Sequence, residues 1–229
     1  SFAVPPGPYD PELQDAYELG IKSDWFDDRL RFNSALFYDT VKNMQRDINL
    51  PDPIVGVVQL TRNTADATLQ GAEVELTGAL GDALVLNANA GYTDGRYDKI
   101  VFDLDGNGIG ASDLGLTIPR LSKWSYSFGA AYTRSFGEFL VRLRADYGYR
   151  SRAPYTDSNT TYLAPIENLT ASASVMLPDR HWSLAVYGRN LLDKVTDGVV
   201  SPLPNTVGGG AFRTLNEGRV VGAEVRFSY

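Results

Sequence analysis

Apolar and polar residues alternate with a period of two in nine separate stretches of the chain. Side chains at every second position of a strand lie on the same face, so each stretch predicts a strand with one apolar and one polar face. The final stretch, 218–229, ends on an aromatic residue. Its apolar positions are Val221, Ala223, Val225, Phe227 and Tyr229, and its small or polar positions are Gly222, Glu224, Arg226 and Ser228. This pattern at the end of the chain predicts the closing strand of a barrel.

The connections between the nine stretches alternate between short and long. Tight turns are predicted at 26–28, 78–82, 135–138 and 178–180, and long connections at 43–65, about 98–120, 151–165 and 193–216. Outer-membrane barrels show this alternation, with tight turns on the periplasmic side and long loops outside. The pattern therefore predicts an all-β, antiparallel transmembrane β-barrel whose last strand runs from the outside to the periplasm.

Charged residues of the predicted strands lie on the polar faces, and the apolar faces carry none. This separation is expected when one face contacts lipid and the other contacts water or a partner. Phe37 is an exception to the alternation, because it points to the polar side of the second strand. Glu73 or Glu75 is predicted to pair with Arg29 or Arg31 on the neighbouring strand, near the periplasmic end.

The three tryptophans agree with a membrane barrel. Trp25 and Trp182 lie beside tight turns and Trp124 lies beside a long connection, where a girdle of interfacial aromatic residues is expected. No run of 18 apolar residues occurs that would predict a transmembrane helix. The sequence opens without a signal peptide, so a mature form or a fragment of a longer protein is expected.

Composition argues against several classes of function. Lys and Arg number 21 against 28 Asp and Glu, and the net charge of −7 argues against a nucleic-acid partner. The chain has no Cys, which excludes disulfides, thiolate metal sites and a Cys nucleophile. His181, the single histidine, lies at a tight turn and no G-x-S-x-G motif occurs, so we predict an interfacial residue and no enzyme.

Four segments, in this order, resemble the TonB-dependent outer-membrane receptors. They are 11–22 (PELQDAYELGIK), 71–75 (GAEVE), 187–194 (YGRNLLDK) and the terminal aromatic strand. The resemblance implies a 22-stranded barrel, an N-terminal plug domain and a TonB box. Nine strands would leave two unpaired edges, so residues 1–229 are expected to be the C-terminal nine strands of such a barrel, with the plug outside this chain.

The resemblance also implies roles for particular residues. In the family, the barrel-assembly machinery recognises the terminal strand, which implies this role for Val221, Val225, Phe227 and Tyr229. Asn190 and Asp193 recur in the family at a turn from strand to loop, which implies a structural role.

Residues 103–108, DLDGNG, follow the D-x-D-x-N-G start of a calcium-binding loop. In such a loop alternate oxygens converge on the ion, and glycine permits the sharp turn. The candidate ligands are Asp103, Asp105, Asn107 and Asp113. The twelfth position of a full loop is Leu114, with Asp113 one residue early, so a solvated loop rich in Asp and Gly remains the alternative.

Arg150, Arg152 and Tyr155 follow the sixth predicted strand where it leaves the membrane. Arg presents a bidentate fork to carboxylate or phosphate, so these residues are candidates for binding an anionic substrate. An ordinary lumen and loop surface, or contact with lipopolysaccharide, is the alternative.

The leading functional hypothesis is an outer-membrane receptor that takes up a scarce nutrient, such as a siderophore-like iron chelate, with energy from the inner membrane. The expected partners are outer-membrane lipids and lipopolysaccharide, TonB through the missing N-terminal part, the barrel-assembly machinery and a small-molecule ligand. A passive porin or a structural barrel without a plug is the alternative. A soluble all-β binding domain is the third hypothesis.

Overall fold

The computed structural model describes residues 7–104, 109, 111–177, 181–202 and 211–227. Most of these residues form strands, and one helix of four residues accompanies them. The elements are β1 (Leu13–Trp25), β2 (Leu30–Asp52), β3 (Gly56–Leu80), β4 (Leu84–Ile100), α1 (Ala111–Leu114), β5 (Trp124–Phe136), β6 (Phe139–Arg150), β7 (Ala153–Pro154), β8 (Tyr162–Leu163), β9 (Ile166–Leu177), β10 (Trp182–Arg189), β11 (Asp197–Pro202), β12 (Ala211–Leu215) and β13 (Val220–Phe227). Within the described ranges, no helix has the length and apolar character needed to cross a membrane.

Nine strands form one antiparallel sheet in the order β1-β2-β3-β4-β5-β6-β9-β10-β13. Short connections follow β1, β3, β5 and β9, at what we call the turn end of the sheet. The long connections follow β2, β4, β6 and β10 at the opposite end, called the loop end. The predicted nine antiparallel strands and the alternation of their connections are confirmed.

The register of the sheet produces two different faces, because directly opposed residues of an antiparallel pair project to the same side. One row across five strands consists of Leu19, Leu36, Ala72, Tyr92 and Trp124. A row on the other side consists of Asn33, Glu75, Asn89, Ser127, Gly148 and Asn168. We call these two sides the apolar face and the polar face.

The apolar face exposes its large side chains instead of burying them. Leu19 on β1 is 73% exposed and Val221 on β13 is 71% exposed. Trp25 and Trp182 lie at the turn end and Trp124 at the loop end, all of them exposed. A continuous apolar surface of this kind indicates contact with a membrane or with another protein surface.

Charged residues do lie on the apolar face near the ends of the strands, contrary to the expectation that it carries none. At the loop end, Asp15 is opposite Thr40, and Asp94 and Arg96 of β4 are opposite Gln70 and Thr68. Glu167 is opposite Tyr149 near the loop end, and Arg134 is opposite Val141 near the turn end. β5 and β9 extend beyond the alternating stretches that the sequence shows, and these extensions contain Arg134 and Glu167. The charges therefore mark the two ends of the apolar belt, where a long charged side chain can reach water.

The predicted ion pair between β2 and β3 is wrong. Arg31 lies opposite Asp24 of β1, and its Nε is 2.7 Å from Asp24 Oδ1. Glu75 lies opposite Asn33 and accepts a hydrogen bond from the Asn33 amide at 3.2 Å. The register thus gives Arg31 an acid on its other neighbouring strand, although Glu73 and Glu75 do lie on the polar face as expected.

The connection predicted at 43–65 is a β-hairpin and not an irregular loop. β2 and β3 remain paired as far as Asp52 and Gly56, with register shifts between Val41 and Gln45. Beyond Lys42, β2 pairs only with β3 in the described part of the chain. A proline is tolerated in a strand with one free side, which explains why Pro51 does not end β2. The long connections after β6 and β10 likewise contain the small hairpins β7–β8 and β11–β12.

Phe37 projects to the polar face, as the sequence predicts, and covers Gly71 on the neighbouring strand. A Cβ atom added at Gly71 would overlap the carbonyl oxygen of Tyr92 and lie 2.7 Å from Cε1 of Phe37. Only glycine therefore leaves room for the aromatic ring at this position of the sheet.

Candidate functional site

The loop end of the sheet carries a small hydrophobic core on its polar-face side. Its buried members are Val41, Met44, Ala65, Ala67, Tyr97, Leu104 and Ile118. Val41, Ala67 and Tyr97 are opposed in the register and share the polar face, whereas Leu104 and Ile118 belong to the connection between β4 and β5. That connection therefore folds over the polar face.

Gly95 permits the close approach of this connection. A Cβ atom at Gly95 would lie 2.5 Å from Cδ2 of Leu121 and 3.0 Å from Cδ1 of Ile118. Because both distances are shorter than ordinary van der Waals contacts, the absence of a side chain at Gly95 lets the described part of the segment 101–123 lie against β4 at Ile118 and Leu121.

The connection after β6 is attached to the segment 101–123 by hydrogen bonds. The Asn159 side chain donates to the Thr117 carbonyl at 2.8 Å and accepts from the Thr117 N–H at 2.8 Å. Asn159 has a φ of 53°, which asparagine adopts more readily than most residues. The Arg120 N–H donates to the Pro154 carbonyl at 2.7 Å. The two connections thus form one unit at the loop end.

A half-buried ion pair joins this unit to the β2–β3 hairpin. Arg46 Nε lies 3.4 Å from Asp157 Oδ1, but the two groups are not aligned for a hydrogen bond. Tyr97 lies nearby and is only 4% exposed. Burial raises the pKa of the Tyr97 hydroxyl to about 12, since the phenolate form would lose its hydration, while Arg46 acts in the opposite direction. Tyr97 Oη, Arg46 Nε and Asp157 Oδ1 are buried without a hydrogen-bond partner among the described residues.

A polar pocket of about 530 Å³ lies between the hairpin and the two connections. We call it the loop pocket and define it by five of its lining residues: Tyr9, Arg46, Arg120, Tyr155 and Asp157. The Arg120 guanidinium lies over the Tyr155 ring, 5.0 Å from the ring centroid, in a cation–π contact. Asp47 also lines the pocket. The pocket thus combines aromatic rings with two guanidinium groups and two carboxylates, a set suited to an ionic ligand with a planar part.

A second, open groove of about 550 Å³ lies on the polar face of the sheet. Its charged lining residues are Glu73, Glu75 and Arg150, and Asn89 and Ser125 are among its neutral ones. Two carboxylates and one guanidinium make this groove more acidic than the loop pocket. It can hold water or a cationic group more readily than an anion.

The three residues predicted to bind substrate do not form one site. Arg150 lines the groove on the sheet, and Tyr155 lines the loop pocket. Arg152 lines neither of them; its guanidinium lies over the Tyr162 ring, 4.1 Å from the centroid. The sequence interpretation missed Arg46 and Arg120, because their approach to Tyr155 depends on loop contacts that leave no local pattern.

The proposed calcium loop is described only in part. Asp105 and Asn107 lie outside the described residues, so their arrangement around an ion stays a prediction. Asp113 is fully buried in α1 and accepts a hydrogen bond from the Leu104 N–H at 3.0 Å. No group of three or more acidic or histidine side chains suited to a metal occurs in the described part. Calcium binding by Asp103 and its neighbours therefore remains a sequence-based prediction.

The terminal strand has the predicted alternation as far as it is described. Val221, Val225 and Phe227 are exposed on the apolar face of β13, and the Phe227 ring is 4.9 Å from that of Trp182. Tyr229 lies outside the described residues. Recognition of this strand by the assembly machinery stays a prediction.

Asn190 and Asp193 have the structural role that the sequence implies. Asn190 accepts a hydrogen bond from the Lys194 N–H at 3.0 Å, and Asp193 accepts one from the Arg219 N–H at 3.0 Å. Both residues have positive φ angles, of 47° and 54°. They connect the start of the last long connection to the start of β13.

Sequence comparison identifies relatives among bacterial uptake receptors. The family model described as TonB dependent receptor-like, beta-barrel matches residues 1–191. The ferric-pyoverdine M114 receptor PbuA of Pseudomonas sp. (strain M114) is 30% identical over 189 residues, which are 80% of this chain and 21% of that receptor. The chain thus spans about a fifth of the length of this relative.

Solved structures share the fold. The ferric yersiniabactin uptake receptor FyuA from Yersinia pestis matches 100% of this chain and 33% of its own, with a TM-score of 0.76 and 17% identity. The siderophore receptor PiuA from Acinetobacter baumannii matches 95% of this chain and 28% of its own, with a TM-score of 0.68 and 20% identity. Given the family match over most of its length, the chain belongs to the TonB-dependent receptors, as part of their β-barrel.

Proposed function

We propose that the chain forms the C-terminal strands of an outer-membrane receptor that takes up a scarce nutrient with energy delivered through TonB. The loop pocket carries this proposal, because it places charged and aromatic groups at the loop end, on the side of the sheet that carries the polar face. The name of the relative that is 30% identical specifies ferric pyoverdine, which favours a siderophore-bound iron cargo. The plug domain and the segment that contacts TonB would belong to the part of the receptor outside this chain.

The apolar face contacts lipid in this proposal. On β1 it extends from Tyr17 to Trp25, roughly 27 Å along the strand at about 3.4 Å per residue. With the strand tilted by about 40°, as in outer-membrane barrels, this length covers roughly 21 Å of height, which is most of their apolar band of about 25 Å. The loop end then faces the outside, where it meets lipopolysaccharide, and the turn end faces the periplasm. The polar face lines the lumen, where charges such as Glu75 and Arg144 remain hydrated.

Energy-dependent uptake tests this function against a passive porin. A strain lacking the gene for the full-length receptor should lose uptake of radioactive iron from at least one of a panel of ferric siderophores, and the intact gene should restore it. Removing TonB, or collapsing the proton gradient, should abolish the restored uptake. Uptake that continues without TonB would indicate a passive porin. A deletion without effect on any ferric siderophore would contradict the proposed cargo.

A further inference from the structure

The apolar face contains a groove of about 590 Å³ near the middle of the sheet. Its lining includes Gly78, Ala130 and Ala145, which lie in one row of the register and are too small to fill the space. Phe128 and Tyr147 lie in the next row toward the loop end and form a wall of the groove. The groove therefore has room for a narrow apolar ligand between larger side chains.

A cation without an acidic partner lies on the same face, nearer the turn end. Arg134 is exposed and follows Ala130 by four residues on β5. Its guanidinium lies 5.9 Å from the centroid of the Phe136 ring, and it forms no ion pair with any residue that the structure describes. Asp82 and Glu138, in the short connections on either side of β5, are among the acids that do not pair with it. This end of the apolar face can therefore attract an anion.

The opposite end of the apolar face differs in charge. At the loop end, Arg96 and Lys123 each pair with an aspartate, at 3.0 and 2.6 Å. The carboxylates of Asp15 and Glu167 lie there as well. A phosphate is repelled by carboxylates and finds both of these cations already neutralised, so an anionic headgroup is favoured at the turn end.

The distance between Arg134 and the groove suits one leaflet of a membrane. Four residues along β5 span roughly 14 Å at about 3.4 Å per residue. With a strand tilt of about 40°, this span corresponds to roughly 10 Å of depth. Half of an apolar band of about 25 Å is roughly 12 Å, so a lipid whose phosphate contacts Arg134 has acyl chains that reach the groove.

We propose that Arg134 and the groove bind one phospholipid of the periplasmic leaflet, with its phosphate at the guanidinium and one acyl chain in the groove. This inference rests on the proposed orientation, in which the apolar face contacts lipid and the turn end faces the periplasm. The guanidinium fork matches phosphate oxygens bidentately, and the Phe136 ring beside it restricts its position. The groove adds packing contacts along the chain that a flat lipid-facing surface does not offer.

Native mass spectrometry of the full-length receptor, stripped of lipid in a mild detergent, tests this lipid site. The probes are dioleoyl phosphatidylglycerol, dioleoylglycerol, which has the same chains without the phosphate, and lipid A. Arg134→Gln removes the charge, and Ala130→Leu fills the groove. Arg142→Gln is the control for charge, because Arg142 is exposed at the same depth on the polar face, opposite Thr133. Ala223→Leu is the control for size, because Ala223 is exposed on the apolar face outside the groove.

Loss of the charge-assisted contact in Arg134→Gln should raise the dissociation constant of the first bound phosphatidylglycerol by roughly 10-fold. Ala130→Leu should raise it by roughly 3-fold, since only packing contacts are lost and detergent solvates the displaced chain. Arg142→Gln and Ala223→Leu should change it by less than about 2-fold. Dioleoylglycerol should bind the wild type more weakly than phosphatidylglycerol, and Arg134→Gln should not weaken its binding further.

The outcomes separate the lipid site from the uptake function. Equal effects of Arg134→Gln and Arg142→Gln, or equal affinities for dioleoylglycerol and phosphatidylglycerol, would overturn the site. Lipid A that binds more tightly than phosphatidylglycerol, with the same sensitivity to Arg134→Gln and Ala130→Leu, would overturn the assignment to the periplasmic leaflet. Either result together with persisting TonB-dependent uptake would leave the function intact. A full-length receptor that is recovered outside the membrane fraction would overturn both.

Discussion

Replacing Gly71 with alanine should destabilise the barrel at a defined point of the sheet. The new Cβ atom would overlap the Tyr92 carbonyl oxygen and lie 2.7 Å from Cε1 of Phe37. The carbonyl belongs to the backbone of the paired strand and cannot rotate away as a side chain can. Relief of the overlap therefore requires the strands to move apart or the Phe37 ring to leave Gly71.

The expected cost is that of overpacking, about 1–3 kcal/mol. The matched control is Gly148→Ala, because Gly148 lies on the same face and a Cβ atom there would meet no atom within 4 Å. Gly148→Ala should be neutral, or more stable by about 0.4–1 kcal/mol, since alanine restricts the unfolded chain.

Urea unfolding of the full-length receptor in lipid vesicles, followed by tryptophan fluorescence, measures this difference. With a slope of about 2 kcal/mol per molar urea, a loss of about 2 kcal/mol lowers the midpoint by about 1 M. Gly71→Ala should show this shift and Gly148→Ala should not. Equal midpoints for the two variants would refute the packing of Phe37 over Gly71 and the register that brings them together.

Three further changes test the unit that the connections after β4 and β6 form at the loop end, the burial of Tyr97, and the terminal strand. Asn159→Gly tolerates the positive φ but removes the 2.8 Å hydrogen bonds to Thr117, so proteolysis within 101–165 should become faster; an unchanged cleavage rate would contradict the attachment of the two connections. Tyr97→Phe should leave stability at pH 7 unchanged or slightly higher, because the lost hydroxyl has no partner. The pKa of Tyr97 is raised in the folded protein from 10.0 to about 12. The free energy of unfolding of the wild type should therefore fall as the pH rises between these two values, because the unfolded chain releases the Tyr97 proton first. A fall of the same size in Tyr97→Phe would refute that cause. Deleting residues 227–229 from the full-length receptor should block its insertion, and normal surface display of the deletion variant would argue against an assembly role.

The sheet is predictable from the sequence because its two faces have different surroundings along most of each strand. This difference leaves a local signal with a period of two, from Leu19 on β1 to Val225 on β13. Because of the prolines at 51 and 53, a long connection was predicted where the outer parts of β2 and β3 lie. Alternation nevertheless persists there at Val58 and Leu60, which are both buried. A proline ends a strand only where a neighbouring strand would need a backbone N–H donor from that position. The sequence does not show which side of a strand has no neighbouring strand.

The loop pocket is not predictable in the same way. Arg46 and Asp157 meet although 111 residues separate them, through packing of two connections that have no periodic pattern. Of the three residues predicted to bind substrate, Tyr155 alone lies in this pocket. Strand alternation places Arg150 on the polar face of β6, away from Tyr155. Arg152 and Tyr155 lie beyond the end of β6, where no periodic pattern shows which side chains come together.

The assignment of the apolar face to lipid and the polar face to the lumen is tested most directly by labelling two adjacent residues. The chain contains no cysteine, so Ser127→Cys and Phe128→Cys each introduce a single reactive thiol into it. In the membrane-inserted full-length receptor, made free of any other cysteine, a fluorophore at position 128 should be quenched by lipid-attached quenchers. A thiol at position 127 should react with a water-soluble reagent. Equal lipid quenching at the two positions, or the reverse pattern, would contradict the account.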